Sequence, residues 1–372
     1  MRYRDFKIVE APGDEEPAAN MAGLDATASV DNAEIEKLQQ DIASRVQNTG
    51  DASVLNRIQA LLRKSNIGNI AKFAFQKDTD SQKFIGRLSE IILNLDIPIG
   101  DKANFLREFG RKNMIDAGKL FDNSGTPQSM DSWFEGSETA RTVFKAMIND
   151  YGLIGKNAGE AGPGELAIAC FNREITAGTD PKASYDLKYG NDLVEVKTKA
   201  SGTSGGGGGR WTAMNDYPLV TFAQSGQSPL DSKKIPKSVV VFGGDRVKLP
   251  SIAQVLNDPQ YLKNPDAPLD ENTQKQIFQQ LLSLAYPNAD QKIINNAANK
   301  YPNHTREDIA PAAFESYKAK QKFTSMLLMK ANNDNISTLH FTDLGKAVEN
   351  FKLGGLYLNG QQRGMSMQAT MI

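Results

Sequence analysis

The chain has a single cysteine, Cys170, and only two histidines, His304 and His340, in 372 residues. One thiol excludes an internal disulfide and a zinc site built from several cysteines. Cys170 falls on the apolar side of an expected helix and reads as buried packing. The two histidines are far apart, and neither stands in a His-x-Glu or His-Glu-x-x-His pattern, which disfavours zinc hydrolase chemistry. Only these two could serve a serine–histidine triad. His340, in Ile336-Ser337-Thr338-Leu339-His340-Phe341, reads instead as decoration on a late strand, and His304, in Tyr301-Pro302-Asn303-His304-Thr305, as a surface turn before a helix. No run approaches the roughly 18 to 20 apolar residues needed to cross a bilayer. The segment Met1-Arg2-Tyr3-Arg4-Asp5-Phe6-Lys7 lacks the apolar core of a secretion signal, so the expectation is a protein of the cytoplasm, or packaged from there, with no membrane partner. A net charge of -1 argues against a simple nonspecific nucleic-acid coat.

The length suits two or three domains with a substantial core. Residues 1–30 form an acidic, proline-containing leader with little to bury. Residues 31–121 carry apolar positions at helical spacing, among them Ile35, Leu38, Ile42, Val46, Phe84, Leu88, Ile91 and Ile92, and read as a helical accessory domain suited to docking. Residues 122–132 read as a linker, 133–350 as an α/β core and 351–372 as a pliable tail. Within the core, Ser238-Val239-Val240-Val241-Phe242-Gly243 reads as a buried strand and 251–330 as largely helical, with Phe323, Met326, Leu327 and Leu328 forming one of its apolar stretches.

The chemistry concentrates in Tyr185-Asp186-Leu187-Lys188-Tyr189-Gly190-Asn191-Asp192-Leu193-Val194-Glu195-Val196-Lys197. A glycine at the first central position of a two-residue loop signals a type II′ hairpin. That loop pairs Tyr189 with Asp192 and Leu187 with Val194, and sets Asp186 opposite Glu195. Alternation puts Glu195 and Lys197 on the face of Asp186, while Val194, Val196, Tyr185 and Leu187 take the other. Opposed carboxylates repel and ask for compensation. Magnesium accepts such oxygen ligands, and the Val196 carbonyl adds another. The plainer alternative is a solvated face on which Lys197 neutralises Glu195.

Upstream, Gly162-Pro163-Gly164-Glu165 opens an alanine-rich helix, with Pro163 preorganised for the first turn. Downstream, the five glycines 205–209 form a loop without the Lys-Ser/Thr ending of a phosphate-binding P-loop, which disfavours a nucleotide triphosphatase. Its position suggests a flap with Arg210 on phosphate, a plain connector being the alternative. From Lys182 to Lys248 ten basic residues face six acidic ones. Such a local field, with Lys199, Arg210, Lys233 and Lys234 as candidate DNA contacts, suits a phosphate backbone.

The order helix-borne Glu165, strand Asp186, then Glu195-Val196-Lys197 resembles the PD-(D/E)xK nuclease superfamily, which includes restriction endonucleases, phage exonucleases and head-completion proteins of tailed phages. Tyr185 stands where the nominal motif has proline. The resemblance spans about residues 160–200 and implies a restriction-endonuclease-like mixed central sheet flanked by helices, with the helical domain ahead of it. It implies Asp186, Glu195 and the Val196 carbonyl as ligands of Mg2+, with Mn2+ as a substitute, Lys197 as the catalytic lysine and Glu165 as the helical glutamate. It also implies DNA as partner, a nuclease as activity and, for a phage-encoded member, a virion location among other assembly proteins. The alternative within the same resemblance is a structural head-completion protein that only binds DNA ends.

Overall fold

The computed structural model describes residues 52–75, 77–150, 162–177, 185–199, 210–211, 218–236, 239, 250–332, 335–355 and 367–371. The leader (1–30), the glycine run and most of the strand expected at 238–243 lie outside these residues. Val239 alone of that strand is described, and it is buried.

Among the described residues four helices come first: α1 (Ala52–Lys64), α2 (Asn66–Ala74), α3 (Asp78–Asn94) and α4 (Ile99–Glu108). Each turns an apolar stripe inward, as Ile58 and Leu62 do on α1 and Phe84, Leu88 and Ile92 on α3. Two short helices follow, α5 (Ala117–Leu120) and α6 (Met130–Trp133), with strand β1 (Gln128–Ser129) between them. Then come α7 (Glu138–Asn149), α8 (Pro163–Phe171) and the strands β2 (Ile175–Ala177), β3 (Leu187–Tyr189) and β4 (Asp192–Lys199). After β5 (Arg210–Trp211), a helical stretch carries α9 (Pro218–Gln224), α10 (Ile252–Asn257), α11 (Glu271–Ala285), α12 (Gln291–Ala298) and α13 (Arg306–Gln321). The chain finishes with β6 (Ser325–Asn332), β7 (Asn335–Phe341), β8 (Phe351–Gly355) and β9 (Met367–Met371).

These strands make a six-stranded mixed sheet in the order β1-β7-β6-β4-β3-β2 and a three-stranded sheet in the order β5-β9-β8. In the larger sheet β2, β3 and β4 are an antiparallel meander. β6 lies parallel to β4, with Glu195 beside Met326 and Lys197 beside Leu328. A parallel neighbour requires a long crossover, which the stretch bearing α9 to α13 supplies.

Helices cover both faces of that sheet. One core joins Ile58, Phe84 and Leu88 of the early helices to Leu166 and Phe171 of α8 and to Leu187, Val194, Val196, Leu327 and Met329 of the strands. The second gathers Phe278, Leu281, Phe314 and Tyr317 against Met326, Leu328, Leu339 and Phe341. Alternation along β6 sends its even-numbered residues to the second core and its odd-numbered ones to the first.

Four sequence expectations are corrected here. Residues 52–121 are helical, but they are not a detached domain, because their apolar stripes complete the first core of the sheet. The expected linker, 122–132, contains β1, which pairs with β7 through Gln128–Thr338 and Ser129–Ser337. Met326, Leu327 and Leu328 lie in a strand rather than a helix. A strand buried on both faces has an unbroken apolar run, and Met and Leu carry no β signal to separate it from a buried helix. The expected tail also holds β8 and β9, paired from Phe351–Met371 to Gly355–Met367.

A shared core has a measurable consequence. Leu88→Ala on α3 and Leu166→Ala on α8 should each cost about 2–5 kcal/mol. Both should shift one common unfolding transition in urea, followed by circular dichroism. Two transitions, each answering to only one substitution, would contradict a continuous core.

Candidate functional site

The hairpin at Gly190 sets the site. Gly190 has φ +57°, and its turn partner Asn191 is not among the positive-φ residues, as a type II′ loop requires. The register follows: Tyr189 pairs with Asp192, Lys188 with Leu193 and Leu187 with Val194. There the ladder stops. Asp186 does not continue as a pair with Glu195, because its N–H donates instead to the Val194 carbonyl at 3.0 Å. Tyr185 correspondingly leaves the face of Leu187 and packs against the second core.

Residues two apart on a strand turn their backbone groups to the same neighbour, so Val196, like Val194, faces the side that β3 has left open. Its N–H is taken by the Asp186 carboxylate, with Val196 N to Asp186 Oδ2 at 2.7 Å. Its carbonyl accepts from Lys197 Nζ at 3.2 Å. The same ammonium lies 3.6 Å from Asp186 Oδ2 and forms a close ion pair with Glu195 Oε1. Two carboxylate oxygens and one carbonyl oxygen thus point at a single positive centre. Asp186 and Lys197 are half-buried, whereas Glu195 is only 5 % exposed.

The first turn of α8 enters the same notch. Pro163 opens the helix, and Glu165 Oε2 accepts from the Gly162 N–H at 2.8 Å, which caps the helix start. Close approach depends on Gly164, since a Cβ there would run into the Thr198 side chain of β4. Glu165 is pushed up to about 8, chiefly by burial and then by the Asp186 charge, while the Gly162 N–H and Lys197 act in the opposite direction. Asp186 is pushed up to about 6, again chiefly by burial, against the pull of Lys197. Burial is the largest influence on Lys197 and lowers it, but the charges of Asp186 and Glu195 together hold the ammonium above its ordinary range.

Sequence reading missed one member of the group. Tyr317, on α13, donates its hydroxyl to Glu195 Oε1 at 2.7 Å. Burial pushes its phenol up, so at neutral pH it is a proton donor. The two residues are 122 positions apart, and no local pattern links them.

The remaining candidates are spread over several elements. Lys233 is exposed on a turn, and Lys234 reaches Asp231 at 3.6 Å and the Leu262 carbonyl at 3.4 Å. Lys199 ends β4 beside Lys330. Arg210 lies in β5, paired with Gln368, rather than in a loop. His340 does sit on a strand, buried beside Phe121 with ring centroids 5.5 Å apart. His304 is buried rather than a surface residue, because Phe278 and Tyr301 pack on its ring. Cys170 is buried as expected.

The donor set suits a hard cation, since Asp186, Glu195 and the Val196 carbonyl offer only oxygen and already surround one positive charge. Among the described residues, no group of three or more His, Cys, Asp or Glu side chains is arranged to hold a metal ion. No family model, curated protein or solved structure matches this chain. No helix among the described residues is long and apolar enough to cross a membrane.

Two outcomes follow. Gly164→Ala should destabilise the protein by about 1–3 kcal/mol. Adding Thr198→Ala should recover part of that loss, and two additive losses in a denaturation cycle would show that the contact is unimportant. Glu165 and Asp186 both have raised folded values, so their protonated forms favour the fold. That contribution is complete below their ordinary values of 4.5 and 3.8 and is lost as pH rises through about 6 for Asp186 and about 8 for Glu165. With chelator present, stability should therefore fall between about pH 3.8 and 8. Glu165→Gln should flatten the upper part of that slope in urea titrations, and an unchanged slope would assign it to another group.

Proposed function

We propose that this protein is a metal-dependent nuclease that hydrolyses DNA phosphodiester bonds at the notch beside β4, on a restriction-endonuclease-like fold of the PD-(D/E)xK type. One observation carries the reading: Asp186 Oδ2, Glu195 Oε1 and the Val196 carbonyl all face one positive centre, with Glu165 alongside. A mixed sheet whose motif strand has an antiparallel neighbour on one side and a parallel one on the other lends further support.

Asp186, Glu195 and Val196 would hold Mg2+, for which Mn2+ can substitute. When bound, such an ion lowers the pKa of a coordinated water and offsets charge on the phosphate. Lys197 orients the attacking water and compensates negative charge building on phosphorus. Glu165, held at the helix start by the Gly162 N–H, would act through a second metal ion or a bound water. Lys199, Arg210, Lys233 and Lys234 belong to the stretch that would meet the DNA backbone.

A second reading is a virion or head-completion protein that keeps this fold to bind DNA ends without cutting. It is favoured by the lack, among the described residues, of a metal-holding group of three acids or histidines. The two separate in one assay of linear, circular and single-stranded DNA with Mg2+, Mn2+ or chelator. The nuclease reading expects metal-dependent loss of substrate, reduced ~100-fold or more in Asp186→Asn and in Lys197→Ala. Undiminished cutting by Asp186→Asn would rule that assignment out, and retention of DNA ends with no cutting under any condition would favour the second reading.

A further inference from the structure

Glu195 is the most buried of the charged groups in the notch, and two donors reach the same oxygen of its carboxylate. Lys197 approaches from its own strand. Tyr317 approaches from the helix that packs on the sheet face, held there by burial in the second core and by an edge contact with Phe323, ring centroids 5.6 Å apart. A glutamate has three side-chain torsions and, on a strand, several ways to point. One neutral hydroxyl donor fixed to a packed helix removes that freedom without adding charge.

We propose that Tyr317 is a positioning residue for the cation site. Its hydroxyl pins Glu195 Oε1 and so fixes the orientation in which the carboxylate meets a divalent ion. Buried ligands are held in this way by hydrogen-bond partners behind them, and loss of such a partner weakens metal binding or activity without removing a ligand. A hydroxyl suits the task better than a second cation would, because it leaves the charge on Glu195 available. The inference rests on the metal-dependent reading above.

The test is Mn2+ binding to the full chain by calorimetry, for wild type, Tyr317→Phe, Glu195→Gln and the double variant, each with a urea denaturation midpoint. Phenylalanine keeps the ring and its packing and removes only the hydroxyl. Tyr317→Phe should bind Mn2+ roughly 10–100-fold more weakly. Because Tyr317 acts through Glu195, the double variant should bind no more weakly than Glu195→Gln alone. Wild-type affinity in Tyr317→Phe, or a further loss in the double variant, would overturn the positioning role. A merely structural tyrosine would move the midpoint and leave affinity alone. No saturable Mn2+ binding by the wild-type protein would sink the metal-dependent reading and this inference with it, whereas wild-type binding with an indifferent Tyr317→Phe would sink the inference only.

Discussion

The Lys197 ammonium is the interaction on which the site depends. Two carboxylates at contact distance repel by ~4 kcal/mol at the effective dielectric of a protein surface, and more as burial deepens. An exposed ion pair recovers about 0–1 kcal/mol, which would not hold Asp186 and Glu195 together. This group is sheltered: Glu195 lies under α13, and Asp186 spends an oxygen on the Val196 N–H. In that regime an orphaned buried charge costs about 3–5 kcal/mol, so the ammonium and the acids stand or fall together.

What makes room for them is an interruption. β3 supplies only three ladder pairs, so among the described residues one side of β4 has no strand beside it from Glu195 onward. A backbone N–H and C=O exposed there must find partners, and side chains provide them. The Asp186 carboxylate and the Lys197 ammonium fill the places a longer β3 would have taken. Gly164 then lets a helix start come close enough to add Glu165. The two apolar cores hold these parts in register: α8 is anchored in one and α13 in the other, and β4 runs between them.

Much of this was legible in the sequence because it was local. Gly190 dictated the turn, the turn dictated three ladder pairs, and Pro163 marked the helix that carries Glu165. Legibility ended where tertiary contacts decide. The step from Leu187 to Asp186 follows ladder geometry on paper, yet the strand stops because the Asp186 side chain competes successfully for a backbone donor. The apolar run at 326–328 has no period that distinguishes a doubly covered strand from a helix, so the parallel neighbour of β4 was hidden. Tyr317 was invisible for a simpler reason: its meaning lies wholly in Glu195, which enters the chain far earlier. The helical segment ahead of the core looked independent because amphipathic helices read alike whether they cover one another or a sheet.

The crossover between β4 and β6 also imposes a timetable. Asp186, Glu195 and Lys197 emerge from the ribosome together, but their covering helix and parallel strand come more than a hundred residues later. Pairings so distant in sequence close slowly, after local hairpins and helices have formed. During synthesis the growing chain therefore carries its acidic hairpin half-assembled and open to water. Only when α13 and β6 have been made is the notch roofed, which delays the finished site until that distant stretch has joined the sheet.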